Sequence, residues 1–210
     1  MDQLDSSQYD ALVAENETSL DLPSRRCTGV NFFANLGDMK GLKILDLTCQ
    51  PGLVSLLAWW PTSAREKSLS LNYAGNQAMM DFAFQNIAKY LKDGGRFVSI
   101  IPSKASHGSR DQWPGLDEQN GWYGAGKRII EEVEDGYRAR TIFFTNPPLE
   151  FDNSDLKHSV YFRAAKGAGL EDVKTDAKEK IPSPFKGGED QAYWDKYLER
   201  PLFDIITATK

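Results

Sequence analysis

The segment Gly41-Leu42-Lys43-Ile44-Leu45-Asp46-Leu47-Thr48-Cys49-Gln50-Pro51-Gly52 limits the possible folds more than any other stretch. Residues 42 to 47 form the short apolar run of a central parallel strand, with helices expected on both faces, and the run leads past Asp46 into a tight glycine turn. Only 18 residues, Leu53 to Ser70, separate that turn from the next distinct segment, Leu71-Asn72-Tyr73-Ala74. Two further strand-helix units, the usual continuation of a parallel α/β fold, need roughly 40 to 50 residues. The chain is therefore expected to be α/β with part of its sheet missing after the first strand, unless a wrong reading-frame junction lies near Pro51 to Ser70.

At 210 residues and 40% hydrophobic content, one domain can bury a sufficient core without metals or disulfides. A net charge of -5 argues against a general nucleic-acid binder, because phosphate recognition rests on an excess of Lys and Arg. A small-molecule partner is expected instead. The two cysteines, Cys27 and Cys49, have no chelating spacing, so no metal is expected, and reduced thiols fit a cytoplasmic protein. The acidic start, Met1-Asp2-Gln3-Leu4-Asp5, does not resemble a presequence. The apolar run from Leu53 to Trp60 is far short of the roughly 20 residues that cross a bilayer, so no membrane span is expected.

Tyr9, Leu12 and Val13, and again Phe32, Phe33 and Leu36, have helical spacing, with Gly37 as a stop. Leu53 to Trp60 is expected as the return helix of the first strand, ended by Pro61. Asn76 to Leu91 is the clearest helix, since Met80, Phe84, Ile87 and Leu91 share one face and Gln77, Asp81, Gln85 and Lys92 the other. Asp93-Gly94-Gly95 ends it, and Arg96 to Pro102 is a β-branched and aromatic strand. That order predicts half of a right-handed βαβ unit. Residues 103 to 136 are glycine-rich and irregular, as befits a loop over a site. Strands are predicted at Arg138 to Thr145, Leu170 to Thr175 and Phe203 to Ala208, and helices at Asp155 to Lys166 and Ala192 to Leu198.

In this order the segments resemble the class I S-adenosylmethionine-dependent methyltransferases, particularly small-molecule members of the type 11 and type 25 kind. The resemblance runs through Tyr9-Asp10, Lys43 to Cys49, Leu71 to Ala74, the Ile87-Ala88 to Val98 helix-stop-strand, Ala168 to Val173 and Ile205 to Thr209. It implies a Rossmann-like sandwich whose sheet lacks the second and third strands, in a single domain over residues 1–210. The implied parts are a helical cap at 1–40, a partial nucleotide-binding core at 41–102, a substrate-side lid at 103–160 and C-terminal strands at 161–210. A sheet so shortened exposes an edge, which favours a homodimer.

The resemblance further implies methyl transfer to a small molecule, as in secondary metabolism, with S-adenosyl-L-methionine bound by Tyr9, Asp46, Thr48, Gly52, Asn72 and Tyr73. Asp46 sits at the carboxyl end of the first strand, where such sheets bind ligands, and a glycine lets backbone approach the cofactor. The chain departs from the family at Gln50-Pro51, where a side chain enters the cofactor's usual space and a backbone donor is lost. A non-methylating descendant, either a binding or accessory protein or a cyclase-like enzyme, is the alternative. Arg25 and Arg26 are a surface pair or a carboxylate fork, and Phe32 lines the crevice or the core. His107 is the stronger candidate base of the two histidines, His158 being a helix-start residue expected at the surface. Trp113, Trp122 and Tyr123 either form an aromatic acceptor pocket or bury a lid, and Asn146-Pro147-Pro148-Leu149 is an ordinary turn.

Overall fold

Alternation of apolar and polar residues at two different periods separates the chain into elements that pack as two small antiparallel sheets with helices against them. The computed structural model describes residues 31–32, 34–37, 71–104, 123–176 and 191–210. Residues 31, 32 and 34–36 are helical and stop at Gly37, as their spacing predicts. Leu71–Tyr73 is a single 3-10 turn leading to helix α1, Gln77–Tyr90. Asn76 caps α1, its side chain accepting from the Met79 N–H at 3.0 Å. At the other end the Lys210 ammonium donates to the Ala88 and Leu91 carbonyl oxygens at 2.8 and 2.9 Å, a cation placed where the helix dipole favours one.

Strand β1, Arg96–Pro102, follows the glycine stop at the predicted bounds. Strands β2, Ala125–Val133, β3, Gly136–Phe143, and β4, Leu149–Leu156, form an antiparallel meander. Helix α2, His158–Gly167, strand β5, Glu171–Asp176, helix α3, Gln191–Glu199, and strand β6, Phe203–Thr209, complete the described chain. Helix α2 ends in a Schellman motif: the Gly169 N–H donates to the Lys166 carbonyl and the Leu170 N–H to the Ala165 carbonyl, both at 3.0 Å, with Gly169 at φ +82°. A side chain at that φ would be strained, so the glycine sets the reversal into β5.

The first sheet has the order β1-β6-β5, with β6 antiparallel to both neighbours. Helices α1 and α2 pack against it and each other. Met80, Phe84, Ile101, Leu156, Val160, Tyr161, Ala165 and Ile206 are fully buried in the cluster they form, where Phe84 meets Phe97 edge-on at 5.5 Å. The second cluster joins the meander to α3 through Tyr123, Phe143, Leu149, Trp194, Tyr197 and Leu202. Among the described residues no strand precedes α1, and the parallel partner expected for β1, residues 42–47, lies outside them.

Three sequence expectations need correction. Part of the stretch expected as irregular loop, 103–136, is strand β2, which pairs with β3 across the two-residue turn Glu134-Asp135. The helix expected from Asp155 begins at His158, because Asp155 and Leu156 complete β4, a strand the acidic residues Glu150, Asp152 and Asp155 disguise. His158 is not a surface residue: its side chain is 10% exposed. The Asn146-Pro147-Pro148 segment is a turn, with a cis bond between Asn146 and Pro147.

Candidate functional site

Three chain segments meet where β1 ends. Leaving Pro102, the Ser103 N–H donates to the Leu202 carbonyl at 3.2 Å and the Lys104 N–H to Asp204 Oδ2 at 2.9 Å. His158, first residue of α2, places Nε2 2.8 Å from the Pro102 carbonyl oxygen and 3.5 Å from Asp204 Oδ2. A carbonyl oxygen only accepts, so Nε2 carries the hydrogen and any base chemistry of this ring is confined to Nδ1. The contact fastens the amino end of α2 to the carboxyl end of β1.

The 3-10 turn Leu71–Tyr73 packs against β1 and β4. Leu71 anchors it at 4% exposure, and the Ala74 N–H closes it on the Leu71 carbonyl at 3.1 Å. Asn72 Oδ1 is buried with no hydrogen-bond partner among the described residues. A buried acceptor left empty costs about 1–3 kcal/mol, so folding alone gives no reason for an asparagine there. Tyr73 beside it is half-buried. Of the other sequence candidates, Tyr9, Asp46, Thr48, Gly52 and His107 lie outside the described residues, as do Arg25, Arg26, Trp113 and Trp122. Phe32 is buried in its helix. Tyr123 belongs to the second apolar cluster, its hydroxyl donating to the Tyr193 carbonyl.

A second polar group was not legible from the sequence. One face of the meander carries Lys127, Thr141, Asn153 and Asp155, placed together by the pairing of Lys127 with Thr141 and of Ala139 with Asn153. Lys127 Nζ lies 2.6 Å from Asp155 Oδ2 with both side chains 3% exposed, and Thr141 Oγ1 donates to Asn153 Oδ1 at 2.8 Å. Burial, and then the Asp155 charge, hold the Tyr161 phenol well above its ordinary pKa. Its hydroxyl has no hydrogen-bond partner among the described residues. The opposite face of the meander is a solvated ladder in which Arg140 Nε meets Asp152 at 2.7 Å and Arg138 reaches Glu131 and Asp152 at 3.6 and 3.8 Å.

The open groove between α1 and α2, lined by Gln77, Asp81, Gln85 and Arg163, holds about 320 Å³. Arg163 spans it, donating to Gln77 Oε1 at 2.7 Å and to Asp135 Oδ2 at 3.0 Å, so it ties the β2–β3 turn to both helices. Among the described residues no set of His, Cys, Asp or Glu side chains is placed to hold a metal, and no helix is long and apolar enough to cross a membrane.

No protein-family profile matches the chain, and no curated protein matches it. Among solved structures, it is similar to an S-adenosylmethionine-dependent methyltransferase from Clostridium acetobutylicum ATCC 824, with a TM-score of 0.38 and 13% identity over 67% of this chain and 54% of that one. It is also similar to the CcbJ methyltransferase from Streptomyces caelestis, with a TM-score of 0.34 and 13% identity over 66% of this chain and 53% of that one. The chain thus spans about half the length of each.

Proposed function

We propose that this chain is an S-adenosylmethionine-dependent methyltransferase acting on a small molecule, built on a Rossmann-like sandwich that lacks its second and third strands. The observation that carries this reading is the position of β6. The sequence resemblance makes Phe203–Thr209 the closing strand and Glu171–Asp176 the strand before it, and β6 turns back antiparallel between β1 and β5. These two strands thus occupy the places that the resemblance gives them, the link to the strand before last and the closing strand. The helix-glycine-strand unit α1 to β1 stands in front of it, as the resemblance requires.

Asn72 supports the choice of cofactor. Its buried Oδ1 lacks a donor, and S-adenosylmethionine is rich in N–H and O–H donors, so the described residues fit the group. When bound, the cofactor supplies a methyl group on a sulfonium, which an acceptor displaces in line. The chain's part is mostly to hold the reactants close. In this reading Asn72 accepts a hydrogen bond, Tyr73 and Tyr9 offer aromatic faces to the cationic region, and Asp46, Thr48 and Gly52 form the floor. In this reading His107 is the candidate base, and His158 could serve only through Nδ1, since its Nε2 binds the Pro102 carbonyl.

Calorimetric titration with S-adenosylmethionine tests the proposal: a dissociation constant tighter than roughly 100 µM is expected. Absence of heat at millimolar cofactor would overturn it and favour the non-methylating alternative, for which Gln50-Pro51 in the glycine turn is the specific observation. Translation of the genomic region around codons 50 to 70 tests the shortened sheet. An open frame there encoding a strand that ends in Asp or Glu would show the missing strands to be a junction error.

A further inference from the structure

We draw no further inference here: the strongest candidate, the surface patch of Met79, Phe82 and Tyr90 exposed along helix α1, carries nothing because nothing in the structure shows what covers it.

Discussion

The two sheets bury different chemistry. Around the first, formed by β1, β6 and β5 with α1 and α2, the interior is mostly hydrocarbon and aromatic, Met80, Phe84, Ile101, Val160 and Ile206 having no exposed surface, with Asp204 and Thr207 of β6 buried as polar exceptions. In the meander, the inward face divides into an aromatic end, where Phe143 and Leu149 meet Trp194 and Tyr197, and a polar end holding Lys127, Thr141, Asn153 and Asp155. A buried ion pair is often no more stabilising than well-packed hydrocarbon of the same volume. The meander keeps such a pair, Lys127 with Asp155, and in this it differs from the mostly apolar cluster around the first sheet.

The sharpest way to break this contrast is to remove the charges. Lys127→Met alone removes the cation 2.6 Å from the buried Asp155 and is expected to cost about 3–5 kcal/mol in denaturant unfolding. Adding Asp155→Leu is expected to restore stability to within about 1 kcal/mol of the wild type or above it. If the double variant is as unstable as the single one, the pair is a structural necessity and the contrast fails. In the first sheet, Phe84→Ala is expected to cost about 3–5 kcal/mol through the cavity it leaves, measured in the same way. A loss under about 1 kcal/mol would mean that the apolar cluster is not tightly packed.

A smaller effect is expected at the β2–β3 turn. A Cβ on Gly136 would collide with the Asp155 carbonyl oxygen and lie 2.8 Å from Leu156 Cα, both backbone atoms that cannot swing aside. Gly136→Ala is expected to cost about 1–3 kcal/mol and to loosen the meander before the first sheet, which residue-resolved amide exchange would reveal. Asn76→Ala, which removes the cap of α1, is expected to cost about 1 kcal/mol and to fray only that helix. The smallest effect is expected at alkaline pH. Burial, then Tyr193 and Glu199, push the Tyr123 phenol up to about 12. In the unfolded chain a tyrosine ionises near about 10. The native state thus holds this proton more tightly, and the contribution is complete below about pH 10 and lost as pH rises through about 12. Unfolding midpoints measured across that window should decline less steeply in Tyr123→Phe; parallel declines would contradict the assignment.

Much of the first sheet was legible in the sequence, because its elements obey one period each. The face Met80, Phe84, Ile87 and Leu91, the Asn76 cap and the Gly94-Gly95 stop all agree on α1, and Arg96–Pro102 follows with its bounds as expected. The meander was less legible. In β2, Lys127, Arg128, Glu131 and Glu132 resemble a solvated loop, yet Lys127 faces inward, and a bulge between Ile129 and Glu131 breaks the alternation. The signal that could have found the hairpin is Asp135-Gly136 between two β-branched segments. Asn72 was reached only through the family resemblance, and sequence gives no sign of its empty acceptor. Tyr161 was not singled out, because an unpartnered hydroxyl is a property of tertiary packing that helical periodicity does not encode.

The methyltransferase reading is tested most directly by hydrogen–deuterium exchange on the full chain, with and without S-adenosylmethionine. Slower exchange at residues 71–75 and 102–104, with 125–143 unchanged, is the expected result. Protection confined to the α1–α2 groove around Gln77 and Arg163, or no protection at millimolar cofactor, would contradict it.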